Sequence, residues 1–189
     1  MKIVTLIPAR LKASRFPEKP LALIAGKPMI LRVYERAVAA NLGPVVVACC
    51  SDEVKTLIEN VGGTAILTDP DHPTGTDRIM EALAKYPGGN TYDIIVNLQG
   101  DLPTLDPKFI RSAVKLLQGN PKYSITTLAA PMTDSIEIQD PNIVKAVIAL
   151  KHKNDLAGEA LYFSRAPVTA NSATYYHHIG IYIYKKSAL

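Results

Sequence analysis

Short apolar runs alternate with stretches of helical periodicity through residues 1–120, and this alternation limits the possible folds most strongly. The runs predicted as strands are Ile3–Ile7, Val45–Cys49, Thr64–Leu67 and Ile94–Leu98. Strands that alternate with helices are typical of right-handed crossovers in a largely parallel sheet with helices on both faces. The sequence therefore predicts an α/β fold with three layers, similar to a Rossmann fold.

Capping residues and turn residues bound the four helices predicted between these strands. Pro28 is expected at the first helical position, Ser51 as the N-cap of the second helix, and Asp106 as the N-cap of the fourth. Thr74 or Thr76 is expected to cap the third. The predicted core-facing residues are Ile30, Val33, Tyr34, Ala37, Val38, Val54, Leu57, Ile58, Val61, Ile79, Met80, Leu83, Phe109, Ile110, Ala113, Val114 and Leu117.

Helical periodicity becomes scarce after residue 120. Strands are predicted at 123–130, where Pro131 should end the strand, at 144–150 and at 179–184, and residues 133–142 are predicted to be irregular. We expect one domain over residues 1–189, with a strand-rich lobe at 121–189. Residues 185–189 resemble the first turn of a helix. Since a single turn is not stable alone, we expect that the chain lacks a C-terminal segment.

The composition excludes several classes of protein. Of the 189 residues 48% are hydrophobic and 20% are charged, as in globular proteins. The net charge is +4, but the cations are spread along the chain apart from one cluster, and the chain has only three Phe and no Trp, which argues against a nucleic-acid partner. No apolar run is long enough to span a membrane. The neighbouring Cys49 and Cys50 cannot easily bridge to each other, which favours free thiols in a reducing cytoplasm.

Four cations follow the first strand within ten residues: Arg10, Lys12, Arg15 and Lys19. The prolines at positions 8, 17 and 20 predict an ordered loop, neither helix nor central strand. Concentrated positive charge needs an anion or solvent to offset its repulsion, and ligands of α/β proteins bind at the carboxyl ends of strands. The loop is thus either a polyphosphate site or a solvated basic surface.

Two further segments carry candidate binding groups. Thr74, Gly75 and Thr76 offer hydroxyl groups and a close backbone approach at a helix N-terminus, where ribose hydroxyls or anions can bind. Simple helix capping is the alternative. Asp101 follows a buried strand and suits Mg²⁺, which takes one or two protein carboxylates and shares its other positions with phosphates and water. Alternatively, Asp101 caps the next turn.

Several phosphate-binding and catalytic motifs can be excluded. Gly26-Lys27-Pro28 lacks the spacing and the Ser/Thr of a P-loop, and no Gly-x-Gly-x-x-Gly follows the first strand. No Gly-x-Ser-x-Gly is present either. The basic loop, the threonine loop and Asp101 together suit a nucleoside triphosphate that is bound with magnesium and attacked at phosphorus.

The motifs resemble those of the sugar-acid cytidylyltransferases, in particular of members that activate 3-deoxy-D-manno-octulosonate (Kdo). They are 7–10 (IPAR), 14–21 (SRFPEKPL), 26–30 (GKPMI), 74–78 (TGTDR), 96–101 (VNLQGD), 160–165 (ALYFSR) and 178–182 (HIGIY). The resemblance implies a GT-A-like nucleotidyltransferase fold and transfer of CMP from CTP to Kdo, with pyrophosphate released. It also implies Mg²⁺ as cofactor, a role in lipopolysaccharide synthesis and a cytoplasmic homodimer.

The resemblance also implies roles for individual residues. Expected at CTP are Pro8, Ala9, Arg10, Ser14, Arg15, Lys19, Thr74, Gly75 and Thr76. Expected at the sugar acid are Gln99, Arg165, His178 and Tyr182. Asp101 is the expected metal ligand, and it forms the expected catalytic set with Arg10 and Lys19. By this resemblance residues 1–120 are the nucleotide-binding part, and residues 121–189 are the sugar-acid and dimerisation part.

The chain departs from the family pattern at some positions. Leu102 stands where the family often has Glu, and the usual Trp-Asp is missing between Arg165 and Tyr175. Because the family usually continues past position 189 and has a second metal-binding Asp there, we expect weak or no turnover if 189 residues are the whole protein. Two alternatives stay open: transfer to another sugar acid such as a sialic acid, and a nucleotide-binding module without catalysis.

Overall fold

A computed structural model describes residues 1–11, 16–152, 154–168 and 174–189. The chain forms two compact units, one of residues 1–126 together with 180–189, and one of residues 127–179. Ser14 and Arg15, two of the predicted CTP-binding residues, lie outside the described residues. No helix in the described ranges is both long enough and apolar enough to cross a membrane.

The strands and helices are numbered in chain order. The strands are β1 (Ile3–Ala9), β2 (Leu23–Ile24), β3 (Lys27–Pro28), β4 (Val45–Cys49), β5 (Thr64–Leu67), β6 (Ile94–Leu98), β7 (Ile125–Met132), β8 (Lys145–Ala149), β9 (Glu159–Ser164) and β10 (Tyr175–Lys185). The α-helices are α1 (Met29–Ala40), α2 (Asp52–Glu59), α3 (Gly75–Lys85), α4 (Pro107–Gly119) and α5 (Ser135–Gln139). Short 3₁₀ turns lie at Lys19–Leu21, Gly89–Thr91 and Lys186–Ala188.

The first unit is built on a mostly parallel sheet. β1 lies between β4 and β6 and is parallel to both, and β5 extends the sheet beyond β4. The last part of β10 runs antiparallel to β6, with Tyr182 opposite Asn97. Val4, Leu6 and Ile95 of the central strands are fully buried. This sheet with its helices confirms the predicted α/β fold, and β4, β5 and β6 have the predicted bounds.

The second unit has its own antiparallel strands. β8 pairs with β9, and the first part of β10 pairs with β8, with His177 opposite Lys145. Two predictions for this region are wrong. Residues 133–142 are not irregular throughout, because Asp134 accepts a hydrogen bond from the Ile136 amide and caps the short helix α5. Strand β7 does not end at Pro131 but continues to Met132.

The prediction that Pro8 lies in a loop is also wrong, since Pro8 belongs to the central strand β1. The amide of Thr5 donates to the carbonyl of Pro44, towards β4, so the nitrogen of Pro8, three positions further, faces the β6 side. The registered pairing with β6 ends at Leu6, and a residue without an N–H is therefore tolerated there. Lys19–Leu21 forms a 3₁₀ turn with Pro20 buried, whereas the sequence predicted no helical turn.

Four residues predicted to face the core are exposed instead: Val38, Val61, Met80 and Phe109. Val61 lies past the end of α2 at Glu59, and the other three stand beside the buried stripe of their helix. Because each helical residue turns by about 100°, a direct neighbour of a core residue can lie outside the buried stripe. Pro28 is the N-cap of α1 and not its first helical residue. Ser51 and Asp106 cap α2 and α4 as predicted.

Candidate active site

A cleft of about 150 Å³ opens in the first unit, where β1 ends and α3 begins. It is lined by Pro8, Arg10, Pro73, Thr74, Gly75, Arg78 and Gln99. The carboxyl ends of β1 and β6 both contribute residues, in the position where parallel α/β sheets bind ligands. Among the residues predicted for CTP or the sugar acid, the structure thus brings Pro8, Arg10, Thr74, Gly75 and Gln99 together.

Thr74 and Asp77 form a capping box at the start of α3. The Thr74 Oγ1 accepts from the Asp77 amide at 3.2 Å, and the Asp77 carboxylate accepts from the Thr74 amide at 3.1 Å. Thr74 is therefore the N-cap, and the cap also shapes the wall of the cleft. A Cβ at Gly75 would lie 3.3 Å from the Pro8 ring, so the glycine keeps this wall open.

Arg78, which was not predicted as a site residue, is almost fully buried and lines the cleft. Its Nη1 donates to the hydroxyl of Thr68 at 2.6 Å, and its Nη2 donates to the carbonyl of Pro70 at 3.4 Å. Both acceptors are uncharged, so the guanidinium brings positive charge to the cleft. The available signal was its position in the segment 74–78, four residues after the cap on the same helical face.

Lys19 and Asp101 form an ion pair, with 2.8 Å between the Nζ and an Oδ of the carboxylate. They were predicted as a phosphate ligand and a metal ligand, and the topology places them in contact although 82 positions separate them. Since the Asp101 side chain is 49% exposed, the pair contributes about 1 kcal/mol or less to folding. A bound phosphate or cation can replace either partner at little cost. Arg10 is also exposed.

Asp101 fits the chemistry of a magnesium ligand. It is an exposed carboxylate beyond the carboxyl end of β6. In the described part of the chain no group of three or more His, Cys, Asp or Glu could hold a metal ion. One carboxylate with open surroundings suits Mg²⁺ that shares its other positions with phosphate oxygens and water, whereas a fully protein-bound ion would need more ligands.

Gln99 and Tyr182 also belong to the first unit. The Gln99 Nε2 donates to the Oδ1 of Asn97 at 3.0 Å, and the Gln99 Oε1 faces Gly75, 3.5 Å from the position of a Cβ there. Gln99 thus offers an acceptor at the cleft. Tyr182 lies opposite Asn97 in the sheet and stacks on Tyr184, and burial raises the pKa of its phenol.

Arg165 and His178 belong to the second unit. The Nη1 of Arg165 donates to the carbonyls of Pro141 and Asn142 at 3.0 and 3.3 Å. The Nε2 of His178 is 3.0 Å from the Thr127 hydroxyl, and its ring packs on Phe163. Burial, followed by the neighbouring His177, lowers the pKa of His178, so the imidazole is neutral at pH 7. The ligand roles of these two residues stay predictions.

The fold is that of a nucleotidyltransferase. A family model described as cytidylyltransferase matches residues 4–189, so the chain belongs to the cytidylyltransferase family. The chain is 50% identical over 186 residues to the 3-deoxy-manno-octulosonate cytidylyltransferase of Paramagnetospirillum magneticum. This match covers 98% of this chain and 75% of that protein. The identity to the enzyme of the same name from Rhodospirillum rubrum is 44%, over 98% of this chain and 73% of that protein.

A solved structure of similar fold is that of CMP:2-keto-3-deoxy-manno-octonic acid synthetase complexed with CTP. It matches with a TM-score of 0.86 at 37% identity, over 99% of this chain and 75% of that one. The sequence and structure comparisons therefore point to the same family, and both extend over nearly all of this chain.

Proposed function

We propose that this protein transfers CMP from CTP to Kdo and releases pyrophosphate. One observation carries the proposal: the chain matches Kdo cytidylyltransferases over nearly its whole length, and its cleft is built from the segments that carry the resemblance. The similar solved structure was determined with CTP bound. By the family resemblance, the product CMP-Kdo supplies lipopolysaccharide synthesis, and we propose a cytoplasmic location for the enzyme.

The reaction requires two anionic substrates to approach each other. A hydroxyl group of the sugar acid attacks the α-phosphorus of CTP while pyrophosphate leaves, so negative charge must be neutralised at both reactants. The exposed Arg10 and the partly exposed Lys19 are cations suited to the triphosphate, and the buried Arg78 adds fixed charge at the cleft. We assign Pro8, Ala9 and the segment 74–76 to the nucleoside end of CTP.

Asp101 would hold the magnesium ion. When bound, the ion supplies positive charge to the phosphate oxygens and thereby favours attack and departure of pyrophosphate. Without the ion, the Asp101 carboxylate pairs with Lys19 beyond the carboxyl end of β6. By the family resemblance, we assign Gln99, Arg165, His178 and Tyr182 to the sugar acid. The planar fork of Arg165 suits the carboxylate of the sugar.

The proposed assembly is a homodimer. Strand β9 pairs with β8 and exposes residues on both faces, including Leu161, Tyr162 and Phe163. An edge strand with exposed apolar residues favours association, because pairing with another chain removes apolar surface from water. A second copy of this chain is the occupant that the family resemblance suggests. Sedimentation should give twice the chain mass, and a strictly monomeric protein would contradict the dimer.

The test is pyrophosphate release from CTP and magnesium with Kdo or a sialic acid as acceptor. We expect release with Kdo and little with the sialic acid; the reverse preference would contradict the assignment. CTP binding without release from any acid would indicate a nucleotide-binding module. Asp101→Asn should lose most of the magnesium-dependent activity, whereas Asp52→Asn, an exposed Asp in the first turn of α2, should retain it. Equal activity of the two variants would remove Asp101 as the metal ligand.

A further inference from the structure

Four consecutive carbonyl groups in the second unit each accept a hydrogen bond from a cation. They belong to the segment named here the carbonyl loop, residues 140–143. The Nζ of Lys145 donates to the two outer carbonyls, at 2.5 Å to Asp140 and 3.0 Å to Ile143. The Nη1 of Arg165 donates to the two inner carbonyls, those of Pro141 and Asn142. Two cations thus hold one short loop from within the same unit.

Lys145 also holds the main chain of Arg165. Its third hydrogen bond goes to the Arg165 carbonyl at 2.9 Å. An ammonium group has three donors, and here three carbonyls take all of them. The Lys145 residue is 1% exposed, and its pairing with Ser164 in the sheet brings the chain at Arg165 beside it. Lys145 therefore links the Arg165 backbone to the loop that binds the Arg165 guanidinium.

The three carbonyls around Lys145 require a charged ammonium group with three donors. A buried ammonium group loses its hydration, and three short hydrogen bonds to carbonyl dipoles offset that loss. A neutral side chain of the same length would leave these carbonyls without their donor. The carbonyl loop would then relax, and the Arg165 guanidinium would lose the fixed acceptors that orient it.

We propose that Lys145 is a positioning residue for Arg165. Lys145 fixes the carbonyl loop and the Arg165 backbone. The fixed loop carbonyls then hold the Nη1 of Arg165, and this sets the orientation of the whole guanidinium group. Recognition of a carboxylate by two parallel hydrogen bonds depends on that orientation. The inference rests on the proposed function, in which Arg165 binds the carboxylate of the sugar acid, and it adds the residue that prepares Arg165 for this role.

Steady-state kinetics of Lys145→Met test the proposal, with Lys151→Met as the control because Lys151 is an exposed lysine of the same unit. We expect the KM for Kdo to rise about tenfold or more in Lys145→Met while the KM for CTP stays within about twofold. Lys145→Arg, which keeps a cation, should recover part of the loss. Equal effects on both KM values, or a Kdo KM equal to that of Lys151→Met, would overturn the proposal.

A second readout does not depend on activity. The ¹⁵N resonance of the Arg165 Nε–H, assigned by its loss in Arg165→Lys, should show a rigid side chain in the native protein and a mobile one in Lys145→Met. Unchanged rigidity would overturn the positioning role. If Lys145→Met does not fold, Asp140→Ala replaces it, since the Asp140 carboxylate accepts two hydrogen bonds from Asn142 and shapes the loop. An inactive native protein would refute the proposed function, and the resonance would still decide the role of Lys145.

Discussion

Replacement of Gly100 by Ala should damage both the fold and the site, because Gly100 lies between the end of β6 and Asp101. A Cβ built at Gly100 would be 2.8 Å from the carbonyl oxygen of Pro8, about 0.6 Å closer than ordinary contact begins. That oxygen belongs to the backbone of β1 and cannot rotate away as a side chain could. The ends of β1 and β6 must therefore separate, and they carry the cleft.

Overpacking of this size costs about 2 kcal/mol, which lowers the melting temperature of a chain of this length by about 4–8 °C. Displacement of Asp101 should also lower kcat/KM for pyrophosphate release by about tenfold or more. Gly119→Ala is the matched control, since nothing lies within 4 Å of a Cβ there at the end of α4. A Gly100→Ala protein with the melting temperature and the kcat/KM of the native protein would contradict the close approach of Gly100 to the backbone of β1.

Three further predictions concern single side chains. Thr74→Ala removes the capping box and should lower stability by about 1 kcal/mol in urea unfolding, whereas Thr74→Ser should keep most of it; equal losses would argue against the cap. The hydrogen bonds that the Glu81 carboxylate accepts from Lys85, from the Asp69 amide and from His72 lower the pKa of Glu81 to about 2. Glu81→Gln should therefore cost about 1–2 kcal/mol at pH 7, where the native carboxylate is ionised, and the difference should shrink as the pH falls from about 4.5 towards 2; a constant difference over that range would contradict this assignment. Burial raises the pKa of Cys49 to about 11, so a thiol reagent at pH 8 should modify only the half-buried Cys50 in the folded protein, and Cys50→Ser should abolish the reaction; rapid modification of Cys50→Ser would show that Cys49 is accessible.

The sequence predicted the first unit well because its signals are local. β4, β5 and β6 are short runs rich in apolar residues, bounded by glycine, proline or polar residues. Such runs are typical of strands that are largely buried, as β4 and β6 are. The placement of Lys19 and Asp101 in one region followed from the rule that loops at the carboxyl ends of parallel strands meet. The roles of these two residues with CTP and magnesium stay predictions.

Other features depend on contacts between distant segments, which no periodic pattern encodes. Arg78 is buried because Thr68 and Pro70 offer acceptors to its guanidinium, although a charged helical residue is normally expected to face solvent. Lys145 is buried because a loop turns its carbonyls towards the ammonium group. Strand β9 is exposed on both faces, so its sequence carries no alternation of apolar and polar residues.

The most direct test of the account is the fate of the α-phosphorus of CTP. With CTP labelled at that phosphorus, incubation with magnesium and Kdo should transfer the label to a sugar-acid product, while label at the γ-phosphorus should appear only in pyrophosphate. Label from the α-position that stays in CTP, or that is released as free CMP without a Kdo conjugate, would contradict the transfer reaction.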